Sequence, residues 1–264
     1  MLTKAFEFVV PPGPQPSGLD ISTVLRHFAL ITYPVDPDRL RVMVADRFHP
    51  LTVTLDGRSR ALVSVVVFEN TAFRLAAYPS PQLRMPQINY RTYVVDRRTG
   101  KRAIWFLGTQ LDSWAFVIPR YVWKMPWKRG TIRLEAELDE TAGRYRRYEV
   151  ETDVAWAPAR LQLIEEEHAS LELPGFPDLE SGLACLTHTL LGFYRRSDGR
   201  LGLNRVWHER VEVRPARLTL AYFGLLESEG LVARSEQLTP HSVLIAPEIP
   251  FFSFLPPTVV STPK

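Results

Sequence analysis

Residues 112–129, Asp-Ser-Trp-Ala-Phe-Val-Ile-Pro-Arg-Tyr-Val-Trp-Lys-Met-Pro-Trp-Lys-Arg, hold two of the chain's five lysines, Lys124 and Lys128, among aromatic side chains and beside arginines. Low polarity and a neighbouring cation both lower a lysine's pKa, and a neutral amine is the nucleophile that carbonyl chemistry needs. A cation at about 4 Å in an effective dielectric near 20 contributes about 4 kcal/mol, roughly three pKa units. In an extended strand Lys124 and Lys128 share a face but stand about 13 Å apart at roughly 3.3 Å per residue, too far to perturb one another directly. The competing reading is that both ammonium groups pass Trp123 and Trp127 to reach water.

A second cluster is Gln87-Ile-Asn89-Tyr-Arg91-Thr-Tyr93. Strand alternation puts Gln87, Asn89, Arg91 and Tyr93 on one face and Ile88, Tyr90, Thr92 and Val94 on the other. Four polar-capable groups on one face imply a polar cavity, a barrel lumen or solvent, because a dry core would leave them unpaired. Arg26, early in another strand, can hold a carboxylate through two parallel hydrogen bonds or sit on the surface.

Other chemistry is excluded by pattern. The chain has no Gly-x-Ser-x-Gly elbow, no phosphate-binding glycine loop and no His-Glu-x-x-His. Its six histidines, at 27, 49, 168, 188, 208 and 241, lack metal-ligand spacing, and Glu165-Glu-Glu-His168 reads as an acidic surface turn. Neither a metal nor a cofactor is expected. The lone Cys185 excludes an internal disulfide and fits a reducing compartment. It lies three residues before His188, where a buried thiol is a better reading than a nucleophile pair. Net charge is only +3, with 27 arginines interleaved with acids, so no nucleic-acid partner is expected. No apolar run is long enough to span a membrane, and a cytoplasmic protein without a membrane partner is the expectation.

The elements that must position these residues are mostly strands. Residues 1–20 read as an irregular, proline-rich leader and 21–264 as one domain. Residues 25–33 form a strand, followed by an Asp36-Pro37 helix start. Asp56-Gly57 joins 52–55 to 60–68, Arg98-Thr-Gly-Lys101 joins 88–96 to 102–109, and Glu140-Thr-Ala-Gly143 joins 131–138 to 144–154. Asp178 caps a helix carrying Leu179, Leu183, Leu186 and Leu190. Residues 199–213 read as a strand, and Pro215 opens a second helix through Leu218, Ala221, Leu225 and Leu226 to Gly230. Glycine-turned strands with few helices predict an α+β, mainly β fold, an antiparallel sheet curling into a barrel.

Several segments resemble the YqjF-like family of domains of unknown function, within the acetoacetate decarboxylase-like superfamily. They are residues 28–40, 63–70, 89–94 and 105–113, with Pro119-Arg120 and Met125-Pro-Trp-Lys128, in the family's order. The resemblance implies a cone-like antiparallel β-barrel with a few flanking helices and a pocket at one end. In acetoacetate decarboxylases a proline precedes two adjacent lysines; the first forms a Schiff base and the second lowers its pKa. Here Pro126 matches the proline, Trp127 stands where the Schiff-base lysine belongs, and Lys128 matches the second lysine. Arg26 matches the arginine that holds substrate carboxylate, Arg120 an arginine shortly before the pair, and no carboxylate stands near 89–91 where a catalytic glutamate belongs. Tryptophan cannot form an imine, so acetoacetate decarboxylation by that route is not expected.

The resulting expectation is a pocket for a small carboxylate or keto acid. Arg26, Arg91 and Arg120 supply anion recognition, Asn89 and Tyr93 orientation, and Trp105, Trp123 and Trp127 apolar walls. If the protein is an enzyme, a lyase-type activity on a keto or hydroxy acid with Lys128 as its amine or acid follows. A non-catalytic binding protein and a purely structural module are the alternatives. A homo-oligomer is implied by the resemblance alone.

Overall fold

The structure, a computed structural model, describes residues 10, 12–166 and 169–260. Its strands are β1 (Ile21–Val35), β2 (Phe48–Pro50), β3 (Thr52–Leu55), β4 (Arg58–Leu75), β5 (Leu83–Asp96), β6 (Arg102–Leu111) and β7 (Trp127–Arg129). They continue with β8 (Arg133–Asp139), β9 (Arg144–Thr152), β10 (Ala159–Glu165), β11 (Leu191–Arg195), β12 (Leu201–His208), β13 (Arg214–Phe223) and β14 (Ser242–Val260). Three short α-helices, α1 (Pro37–Arg41), α2 (Leu179–Thr187) and α3 (Gly224–Ser228), interrupt them.

Seven strands close into a barrel in the order β1-β4-β5-β6-β11-β12-β14, with β14 pairing back onto β1. Closure removes the sheet edges that would otherwise offer unpaired backbone groups. The pairings are antiparallel except β6–β11 and β6–β7, which are parallel. A second row, β13-β10-β9-β8, joins the barrel through a two-residue pairing of β13 with β14 and packs over the outer face of β1, β4 and β5.

This double packing explains why Val63-Ser-Val-Val-Val-Phe68 is apolar almost throughout rather than alternating. Val63, Val65 and Val67 pack outward against Tyr148, Val150 and Leu161 of the second row. Leu62, Val66 and Phe68 pack inward with Leu25, Phe28 and Leu30. Burying each such side chain contributes about 1.5–3 kcal/mol. Helix α2 fills part of the lumen: Leu183, Cys185 and Leu186 join the inward cluster, and its start is fixed by Asp178, whose Oδ1 accepts a hydrogen bond from Ser181 N at 2.6 Å.

The hairpins at Asp56-Gly57 and at residues 97–101 fall where the turn residues predict, with Gly57 at φ +72°. The helix expected from Pro215 is a strand for most of its length. Ala216 and Leu218 are buried while Arg217 and Thr219 are exposed, a period of two that pairing with β10 satisfies; only Gly224–Ser228 is helical. Likewise the 199–213 strand ends at His208, and α2 ends at Thr187, before Leu190.

Candidate functional site

Asn89, Arg91 and Tyr93 of β5 point into the barrel, and Ile88 and Tyr90 point out. Tyr93 is fully buried, its hydroxyl 2.9 Å from Ser64 Oγ, which lies 2.8 Å from Thr32 Oγ1. Tyr93 Oη and Arg91 Nη2 both donate to the Leu186 carbonyl, at 3.3 and 2.8 Å, so α2 is tied to the strand by the end of its last turn. Asn89 Oδ1 accepts from Gln87 Nε2 and from Thr109 Oγ1, each at 2.9 Å, and Asn70 Nδ2 donates to Gln87 Oε1 at 3.1 Å. With its oxygen doubly engaged, Asn89 is left presenting its NH2 as a donor.

Of these groups Asn89 and Arg91 line a cavity of about 80 Å³, and the expected orienting residue Tyr93 does not. Its polar rim is Asn89, Arg91, Thr187, Thr189, Asn204 and His208; Phe28, Phe68, Phe106 and Phe251 form much of its apolar wall. No lining residue is a lysine, aspartate or glutamate. Arg91 is half-buried, its Nε is buried without a hydrogen-bond partner, and among the described residues no carboxylate pairs with it. A guanidinium so placed lacks the countercharge that normally offsets desolvation.

His208 is the other ionisable group at the rim. Its ring stacks on Phe251, meets His188 edge-on at 4.8 Å between centroids, and lies with Nδ1 2.7 Å from the Glu209 carbonyl. The Thr187 carbonyl is a second backbone partner of the ring, so His208 is held between the end of α2 and its own strand. Burial pushes its pKa down to about 4, so the imidazole is neutral at pH 7. Cys185 is fully buried and burial pushes its thiol up to about 11, so it stays protonated and packs as a small apolar group. Among the described residues no cluster of metal-ligating side chains occurs; His168 of the acidic turn lies outside them, and Glu165 instead pairs with Arg214 at 2.9 Å.

The remaining expected site residues are dispersed. Arg26 is exposed and pairs with Glu248, its cross-strand partner, at 3.3 Å. A register shift between Arg26 and Ala29, with His27 at φ +53°, lets both Leu25 and Phe28 face inward and leaves Arg26 outside. Trp105 is buried, but against Phe48, Phe193 and Val94 outside the lumen. Arg120 and Trp123 belong to a crossover of short helical turns (Trp114–Phe116 and Ile118–Val122) between β6 and β7, not to a strand, and neither lines the cavity. Lys124, at φ +58°, follows those turns, so Lys124 and Lys128 do not share one extended segment.

The β6–β7 register separates Trp127 from Lys128. Trp127 is level with Thr109, whose hydroxyl bonds Asn89 in the lumen, whereas Lys128 is level with Gln110, whose amide bonds Thr152 Oγ1 of the second row at 2.6 Å. Side chains in register across neighbouring strands share a side. Tryptophan therefore holds the inward parity. Lys128 is exposed on the other side, its Nζ 4.4 Å from the Trp156 ring centroid. Of the expected site residues, Asn89 and Arg91 line the lumen cavity, and Arg26, Trp127 and Lys128 do not. Residues that the sequence reading missed, Asn204 and His208, share one face of β12 by alternation; a strand prediction there carried that signal.

Against known proteins, the DUF2071 family, described as an uncharacterized conserved protein, matches residues 22–250. The chain belongs to that family. No curated protein matches it. Among solved structures, an acetoacetate decarboxylase-like enzyme from Sphingomonas wittichii RW1 aligns with a TM-score of 0.58 at 11% identity, covering 98% of this chain and 99% of that one. The enduracididine biosynthesis enzyme MppR, complexed with the condensation product of pyruvate and imidazole 4-carboxaldehyde, aligns at 0.55 with 14% identity over 92% and 89%. Acetoacetate decarboxylase from Legionella pneumophila subsp. pneumophila str. Philadelphia 1 aligns at 0.52 with 15% identity over 99% and 98%. This DUF2071 chain thus has the acetoacetate decarboxylase-like barrel expected from its segments.

Proposed function

We propose that the barrel lumen binds a small carboxylate or keto acid and does so without a covalent imine. The observation that carries this reading is Arg91, a cation turned to a largely apolar cavity with an unpartnered Nε and, among the described residues, no carboxylate paired with it. Asn89 adds a second donor at the same rim, and a carboxylate is the group that accepts from both at once. Phenylalanines opposite leave room for a short apolar tail. With no amine in the lining, a keto acid is held by hydrogen bonds and charge, and the wall offers no Schiff-base nucleophile. His208, held neutral by burial, adds a polar but uncharged group to the same lining.

Isothermal titration with acetate, pyruvate and acetoacetate tests the reading. Arg91→Met, which keeps most of the hydrocarbon, is expected to weaken carboxylate binding by about 3 kcal/mol, roughly a hundredfold. Borohydride added with any of the three acids should label no lysine. Equal affinity in wild type and Arg91→Met, or no binding of any carboxylate, rules the proposal out.

A further inference from the structure

The crossover between β6 and β7 has no part in the lumen, yet it holds an unusual concentration of uncovered apolar surface. Trp114, Val117, Ile118, Tyr121 and Val122 are 67%, 43%, 47%, 59% and 64% exposed, five of the thirteen large exposed apolar side chains among the described residues. Leu19 and Tyr78 lie at the same end of the strands, where Ala77 N bonds the Gly18 carbonyl and Asp112 N bonds the Pro86 carbonyl. Apolar groups gathered in this way mark a contact surface rather than the scattered exposure every protein shows.

The segment is held firmly while it displays these residues. Ser113 Oγ accepts from Ala115 N at 3.1 Å, Asp112 Oδ2 accepts from Ile132 N at 3.0 Å, and Met125 N bonds the Pro119 carbonyl at 2.9 Å. Pro119 and Met125 are its buried anchors. From the adjoining turn, Arg196 donates to the Trp123 carbonyl at 2.9 Å and Ser197 N to the Lys124 carbonyl at 3.0 Å. The exposed aromatics therefore need little further ordering to make a contact.

Charge selects the partner. Arg120, Lys124 and Arg129 lie on the crossover and at its exit, and the exposed Arg195 and Arg200 on the turn packed against it, where Arg196 is buried and serves as an anchor. The acids in these two segments are engaged, Asp112 by the Ile132 amide and Asp198 between Arg196 and Arg200 at 2.7 and 2.8 Å; that trio keeps one net positive charge, and Arg120, Lys124, Arg129 and Arg195 add to it. A second copy docked through the same patch would set these cations against their own equivalents. Tryptophan and tyrosine with an apolar body and a polar tip, ringed by lysine and arginine, suit the headgroup level of a negatively charged bilayer.

We propose that the 114–124 crossover is a peripheral docking surface for an anionic lipid membrane. No helix of the described residues is long and apolar enough to cross a membrane, and a surface contact of this kind needs none. The proposal is independent of the ligand assigned to the lumen.

The test is flotation of the full chain with vesicles of phosphatidylcholine alone or mixed with phosphatidylglycerol, at low and high salt. Binding is expected only with phosphatidylglycerol and to fall with salt. Arg120→Ala and Lys124→Ala should each weaken it about fivefold. Trp114→Ser with Val122→Ser should abolish it, with the circular dichroism melt unchanged because both sites are exposed. Brominated lipid should quench tryptophan emission in the wild type, and Trp114→Phe should remove most of that quenching. Absence of binding at low salt overturns the proposal, as does equal binding by the variants. Self-association that the Trp114/Val122 variant loses, without any vesicle binding, also overturns it and assigns the patch to a protein contact.

Discussion

The lumen face of β5 and the crossover after β6 are built from similar materials, arginine beside aromatic residues, and end in opposite situations. On β5 the cation is held by a carbonyl of α2 and flanked by Tyr93, Asn89 and Gln87, each already hydrogen bonded. On the crossover the apolar groups face water and the cations surround them. Residue type alone made the crossover look more reactive, since it alone holds lysines. Enclosure, which fixes orientation and strips solvent, belongs to β5.

Paired tryptophans give the widest separation between the two regions. Trp105→Ala should destabilise the fold by about 4 kcal/mol in urea melts, because it empties a fully buried site against Phe48 and Phe193. Trp114→Ala should change it by less than about 0.5 kcal/mol. A comparable loss from both would mean that the crossover is packed rather than displayed. Next in size is the hundredfold affinity loss for Arg91→Met, to be set against Lys128→Ala, which should leave carboxylate binding within about twofold. A large effect at Lys128 would return the chemistry to β7, at the exit of the crossover.

A pH series sharpens the description of the lumen. His208 has a folded pKa of about 4 against an ordinary value of 6.5, so the unfolded chain takes up its proton first as pH falls. Stability from this group is present above about 6.5 and is lost as pH falls towards 4, by about 2 kcal/mol between pH 7 and pH 5. The buried or half-buried His27, His188 and His241 are shifted the same way by burial and add to the slope. His208→Asn should flatten its share of that slope in denaturation measured at the two pH values. A smaller loss of stability is expected in Lys128→Ala, about 0.5–1 kcal/mol from the lost contact with the Trp156 face, read in the same urea melts.

Much of the wall was legible beforehand. The hairpins at Asp56-Gly57 and at residues 97–101 follow from local turn chemistry, and the split of Gln87, Asn89, Arg91 and Tyr93 from Ile88, Tyr90 and Val94 follows from a period of two. The Pro215 helix misled because leucines at 218, 225 and 226 fit a helical spacing as well as a strand followed by one helical turn. Pairing with β10 chose between them.

The chain by itself determined the alternation along each strand, the caps of α1 and α2, and the presence of tryptophan where an imine-forming lysine would stand, since these depend on neighbours a few residues apart. Which polar faces became a lumen was decided by closure of β14 onto β1 and by α2 entering the barrel, contacts between residues hundreds of positions apart. The irregularity at His27 is the clearest case: one shift of register turned Arg26 outward and Phe28 inward. Whether a side chain meets water or a cavity depends on what lies across from it, and local sequence does not carry that information.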